Sequence, residues 1–121
     1  DEALDYLEDI KITILDISYT NIKNIGRLNV QQELDVSGNE DVYGLNQMPT
    51  NLQILKMNEC KLNNLDILNG CNFSNLHTIE LKGNNLKDIK ALNNITSLYD
   101  INLENNSIKS IEGLVEKPYR R

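Results

Sequence analysis

At 121 residues and 13.8 kDa, with 25% charged and 40% hydrophobic residues, the chain is long enough for one domain and too short for two ordinary ones. Its net charge of −6 and pI near 4.7 argue against a nucleic-acid backbone as partner, and its two cysteines cannot form a disulfide framework. No apolar run approaches the ~20 residues that span a bilayer, and no signal-peptide core opens the chain, so no membrane insertion is expected.

The chain starts at Asp1 rather than Met, as a processed form or an excised fragment does. Residues 1–11, DEALDYLEDIK, set Leu4, Leu7 and Ile10 at spacings of three, with acids in the first turn. This fits an N-terminal helical cap or the back half of an earlier repeat. From residue 12 the template L-x-x-L-x-L-x-x-N-x-L recurs, with other aliphatics allowed at the Leu places. The first copy is Ile12, Leu15, Ile17, Thr20, Ile22, with Thr at the Asn place. The second is weaker: Gln31, Leu34, Val36, Asn39, its next apolar residue slipping to Val42. The third is Leu52, Leu55, Met57, Cys60, Leu62, with Cys at the Asn place. The fourth is Leu76, Ile79, Leu81, Asn84, Leu86, and the fifth Leu98, Ile101, Leu103, Asn106, Ile108. The Asn-equivalent positions 20, 39, 60, 84 and 106 lie 19, 21, 24 and 22 residues apart. Behind each template a second apolar series recurs every third residue. It runs Leu62, Leu65, Leu68, Cys71, then Leu86, Ile89, Leu92, Ile95, and finally Ile108, Ile111, Leu114.

The spacing has a physical reading. Leu-x-Leu is a period of two and predicts a short strand with both residues on one side. The Asn that follows predicts a turn whose loop groups bond its amide, since a buried polar group left unpaired costs on the order of 1–3 kcal/mol. The series at three suits a 3₁₀ or irregular turn. One coil per repeat results. No single coil can bury its own aliphatics, so the coils must stack around a shared core.

With Leu76 to Leu98 meeting the template at every framework position, the pattern resembles the short leucine-rich repeat class of about 22 residues, as in phosphatase-regulating subunits and the bacterial internalins. The resemblance implies an α/β solenoid of about five repeats over residues 12–114. This is a right-handed superhelix with a concave parallel β-sheet and a 3₁₀ or irregular convex side. It also implies that residues 115–121 begin a C-terminal cap, because Tyr119-Arg120 is similar to the pair found in such caps. That segment is too short to cover the last repeat, so either the natural chain continues or a partner covers this edge.

On a concave sheet the variable positions form columns. The middle one reads Asp16, Asp35, Lys56, Glu80, Asn102. The next reads Ser18, Ser37, Asn58, Lys82, Glu104, and the preceding one Ile14, Glu33, Ile54, Thr78, Asp100. With Glu59 included, seven acids face Lys56 and Lys82, so this face carries most of the net charge. The expectation is a docking surface for a basic protein partner, with Ile14, Ile54 and Tyr99 as apolar anchors. The candidate contact residues are Asp16, Glu33, Asp35, Ile54, Lys56, Glu59, Glu80, Lys82, Tyr99, Asp100, Asn102 and Glu104. Thr20, Asn39, Cys60, Asn84 and Asn106 are the structural ladder.

No enzymatic constellation is legible and no cofactor is expected. His77 is the only histidine, set at the start of a strand where it should be exposed. Cys60 and Cys71 occupy coil-facing slots and read as two buried free thiols, which favours a reducing compartment. A calcium site at Asp16, Glu33 and Asp35 lacks a glycine-bearing ligand loop. Sequons at Asn72, Asn94 and Asn105 carry little weight in so Asn-rich a chain. The interaction module is therefore the leading expectation, and the alternative is an assembly subunit or fragment whose exposed solenoid ends stack in a larger complex.

Overall fold

The computed structural model describes residues 10–49 and 51–109. The expected cap lies outside the described residues but for Ile10 and Lys11, and so do Ile111, Leu114 and segment 115–121. Five strands form one sheet: β1 Lys11–Asp16, β2 Asn29–Asp35, β3 Ile54–Lys56, β4 Thr78–Glu80 and β5 Asp100–Asn102. They lie in sequence order and every neighbouring pair is parallel. A parallel partner demands a crossover, and here each crossover is a short return segment rather than an α-helix. The arrangement is solenoid-like, with one strand per coil.

One row of aliphatics sets the register. Leu15, Leu34, Leu55, Ile79 and Ile101 are partners from strand to strand, and the last four are 0% exposed. Burying each such side chain contributes about 1.5–3 kcal/mol, and only the stacking of coils achieves it. Leu15 is half-buried because β1 has a described neighbour strand on one side alone.

The series at three becomes 3₁₀ structure at Leu45–Gln47, Asp66–Leu68 and Lys90–Asn94. Its apolar residues are the ones that bond one another. Leu92 N–H donates to Ile89 O at 3.0 Å, Ile95 N–H to Leu92 O at 3.1 Å and Leu98 N–H to Ile95 O at 3.2 Å. Bonds between residues three apart put every third side chain on one face, and that face is the buried one. No helix among the described residues is long and apolar enough to cross a membrane.

The second copy departs from its reading. Ile12 pairs with Val30 and Ile14 with Glu33, so β2 carries an extra residue. Val30, 0% exposed, fills the buried position expected for Gln31, and Gln31 is exposed with its amide donating to Asn29 Oδ1. A bulge absorbs the extra residue and turns one side chain outward.

Ladder asparagines join successive coils. Asn84 Oδ1 accepts from Cys60 N–H and Leu62 N–H, both at 3.0 Å. Its Nδ2 donates to Met57 O at 3.0 Å and Leu81 O at 2.9 Å. Asn39 does the same one junction earlier, accepting from Thr20 and Ile22 and donating to Ile17 O and Val36 O. Asn106 accepts from Leu86 N–H and donates to Leu81 O and Leu103 O. Thr20 is exposed and only closes its own turn on Ile17 O at 2.7 Å.

The residue before each ladder position is left-handed in all five coils: Tyr19 φ 54°, Gly38 74°, Glu59 56°, Gly83 71° and Asn105 59°. Glycine takes this conformation without penalty, and other residues pay steric strain for it. The column also alternates in size. A Cβ on Gly38 would lie 2.2 Å from Tyr19 Cδ1, and one on Gly83 would lie 3.0 Å from Glu59 Cγ. Tyr19 and Glu59 each lie across the glycine of the next coil.

Candidate functional site on the outer face of the sheet

The face turned away from the buried row is built by register alone. Ile14, Glu33, Ile54, Thr78 and Asp100 are successive partners, and so are Asp16, Asp35, Lys56, Glu80 and Asn102. Beyond the strands the ladder continues as Tyr19 N–H to Ser37 O, Gly38 N–H to Asn58 O, Glu59 N–H to Lys82 O and Gly83 N–H to Glu104 O. This brings Ser37, Asn58, Lys82 and Glu104 into a third row.

Much of the charge on this face is internally matched. Lys56 Nζ lies 3.3 Å from Glu33 and Lys82 Nζ 3.6 Å from Glu104. Burial opposes the charge on Lys56, but the Glu33 hydrogen bond and the charges of Glu33, Glu80 and Asp35 outweigh it, so its pKa stands above the ordinary lysine value. Asn58 Nδ2 donates to Glu80 Oε1 at 3.0 Å, and Asn58 Oδ1 accepts from Lys82 N–H at 2.8 Å. Tyr19 Oη donates to Glu59 Oε2 at 2.9 Å, which is the main reason the Tyr19 pKa is raised.

Asp16 and Asp35 are in-register neighbours on strands about 4.8 Å apart. Each carboxylate accepts the backbone N–H two residues on, Ser18 at 2.9 Å and Ser37 at 3.0 Å. Hydrogen bonds from Ser18, side chain first and backbone second, hold Asp16 below the usual carboxylate pKa and keep it ionised. Ile14 stands beside this pair at 58% exposure, with Ile54 half-buried two strands away in the same row. At the far end Tyr99, 54% exposed, stacks on His77 with ring centroids 5.0 Å apart and planes 16° from parallel. That stack leaves His77 half-buried rather than open, and its Nδ1 lies 2.7 Å from Thr78 Oγ1. Asn102 is only 3% exposed and its Oδ1 accepts Glu104 N–H, so it offers a partner almost no surface.

No family model matches the chain, and no curated protein or solved structure matches it.

Among the described residues, no group of three or more His, Cys, Asp or Glu side chains is arranged to hold a metal ion. Both cysteines are free. Cys60 is buried, and desolvation raises its pKa. Cys71 is half-buried rather than fully buried, and burial pushes its thiol up to about 11. The columns read from the sequence hold Asn58 without a role for it, and neither Tyr19 nor Gly38 enters them. All three organise the face, through the Tyr19–Glu59 bond, the Asn58–Glu80 bond and the flat seat under the Tyr19 ring. A readable signal was present: glycine at positions 38 and 83, one residue before a ladder asparagine, alternating with larger residues at 19 and 59. A groove of about 430 Å3 lies elsewhere, behind the strands, between the segments that follow Asn39 and Cys60.

Proposed function

We propose that this chain is a leucine-rich repeat module that binds a protein with a basic surface on the outer, acidic face of its sheet, without catalysis of its own. The repeat assignment rests on the five-copy template, the asparagine bonds between coils and the 3₁₀ return segments. The observation that carries the function is the in-register Asp16–Asp35 pair beside exposed Ile14. Two carboxylates on adjacent strands repel one another, Lys56 offsets part of that, and a further cationic side chain laid between them relieves the rest while the isoleucine gives it apolar contact. A preformed sheet pays little entropy on docking. Glu33, Lys56, Glu59, Lys82 and Glu104, already paired within the face, set its charge pattern more than its affinity.

The test compares wild type with a triple charge reversal, Asp16→Lys, Asp35→Lys and Glu80→Lys, as bait in source lysate. Proteins retained by wild type and lost by the variant, with the loss mimicked by raising salt, support docking on this face. Retention of the same proteins by both would defeat it. A second reading, assembly through the solenoid ends, draws on the exposure of Ile10 and the incomplete burial of Leu15 at β1. Under that reading, binding survives the triple reversal and fails when Leu114, Val115 and Tyr119 are replaced.

A further inference from the structure

Of the 19 asparagines in this chain, Asn69 alone is followed by glycine. An asparagine loses its amide when the backbone nitrogen of the next residue reaches its Cγ. A side chain on that next residue crowds the approach, and glycine has none. Every other asparagine precedes a residue with a side chain. Several are also held in place. The amides of Asn39, Asn84 and Asn106 are tied into the ladder, and those of Asn58 and Asn102 are bonded on the outer face.

The local geometry singles out the same residue. The 3₁₀ segment Asp66–Leu68 ends on Asn69 at φ −65° and ψ 133°, and Gly70 follows at φ 77°. With Cys71 N–H donating to Leu68 O at 3.2 Å, residues 68–71 form a type II turn, whose third position calls for glycine. Neither the Gly70 N–H nor the Asn69 side chain has a hydrogen-bond partner among the described residues. Both residues are exposed. A Cβ on Gly70 would meet only the Asn46 side chain, at 3.4 Å from Nδ2 and 3.6 Å from Cβ, so the space around the nitrogen is largely open.

We propose that Asn69 is a modification site, converted without an enzyme to aspartate and isoaspartate through a cyclic imide with Gly70, and that opening of turn 68–71 sets the pace. The Gly70 nitrogen gives its proton to solvent base and bonds to Asn69 Cγ. The Cγ–Nδ2 bond breaks, and ammonia leaves with a proton from water. Water then adds to one of the two imide carbonyl carbons. Addition at Cγ cleaves the new bond and leaves aspartate. Addition at the main-chain carbonyl carbon leaves isoaspartate, with the chain running through the former side chain. The sum is amide plus water giving carboxylic acid plus ammonia, with nothing oxidised or reduced.

The turn acts as the gate. At ψ 133° the Gly70 nitrogen is turned away from Asn69 Cγ, so ring closure requires rotation about the Asn69 Cα–C bond. That rotation breaks the Cys71–Leu68 bond, while Asn69 N–H can keep Asp66 O, 2.9 Å away. The product changes the convex side. Asn69 lines the groove of about 430 Å3 together with Asp41 and Asp66, so conversion gives that groove a third carboxylate. It also adds one negative charge to a chain already at −6. The outer face of the sheet is left as it was.

The experiment holds the full wild-type chain in warm, near-neutral buffer, digests samples over several weeks and follows every asparagine peptide by mass spectrometry. Isoaspartate is read by enzymatic carboxyl methylation. Asn69 is expected to convert first, about tenfold faster than any other asparagine, with both products formed. The same chain unfolded in guanidinium chloride should convert at Asn69 about fivefold faster, because the turn bond no longer holds the ring atoms apart. Gly70→Ala should slow conversion about tenfold in the unfolded chain as well as in buffer, a comparison that holds even where the substitution disturbs the turn. Earlier conversion of another asparagine in the folded chain overturns the proposal. So does an Asn69 that converts no faster unfolded than folded, or one indifferent to Gly70→Ala in the unfolded chain.

Discussion

The strongest consequence of the ladder concerns Asn84. Its side chain is 4% exposed and, in Asn84→Ala, two amides and one carbonyl of coil 3 lose the partner they now share, while Leu81 O keeps Asn106. Each buried group left unpaired costs about 1–3 kcal/mol, and water entering from the loop side recovers part of it, so a net loss of about 4 kcal/mol is expected. That is a large share of the ~5–15 kcal/mol that holds a domain of this size. With a urea slope of about 2 kcal/mol per molar, the midpoint should fall by about 2 M. Urea titration followed by far-ultraviolet circular dichroism reads this directly, the chain having no Trp to report by fluorescence. Thr20→Ala, at the exposed first slot with its single bond to Ile17 O, serves as reference and should move the midpoint much less. An Asn84→Ala shift no larger than that of Thr20→Ala would refute the idea that these amides join the coils.

Gly38→Ala should destabilise the protein by about 2–3 kcal/mol, from the left-handed backbone and the overlap with the Tyr19 ring; in a Tyr19→Ala background only the backbone part, about 1 kcal/mol, should remain, as a double-mutant cycle in urea would show. Asp35→Asn keeps the acceptor for Ser37 N–H, as Asn102 does for Glu104, and removes repulsion from Asp16. Its melting temperature should equal or exceed that of wild type, with any gain fading in high salt, while partner binding weakens. Burial raises the Cys71 pKa from 9.0 to about 11, so the unfolded chain releases this proton first. The Cys71 contribution to stability is therefore intact below pH 9 and declines as the pH climbs towards 11. Melting temperatures of wild type and Cys71→Ala, measured across that range, should converge.

The strands and their register were legible because a period of two followed by an asparagine leaves little freedom. Once Leu34, Leu55, Ile79 and Ile101 share a buried row, the outward rows follow by alternation. The return segments were legible for a similar reason, since apolar residues three apart coincide with bonds between residues three apart. The bulge at Gln31 was not, because Val30 and Gln31 compete for one slot and only pairing with Ile12 decides between them. On the face itself, the count of acids was readable but their pairing was not. Whether Glu33 meets Lys56, or Glu80 meets Asn58, depends on rotamers that reach diagonally across strands. The stacking that covers half of His77 depends on Tyr99, a residue 22 positions away brought alongside by the coil length.

The alternation of Tyr19, Gly38, Glu59 and Gly83 constrains how such a chain can grow. Doubling a single coil would set a tyrosine beside a tyrosine, or leave a glycine with nothing lying across it. Copying two adjacent coils together preserves every large-over-small contact. On this packing a pair of coils is the unit that duplicates without loss, and a library of duplicated variants should yield folded proteins when segments are inserted two coils at a time and poorly folded ones when they are inserted singly.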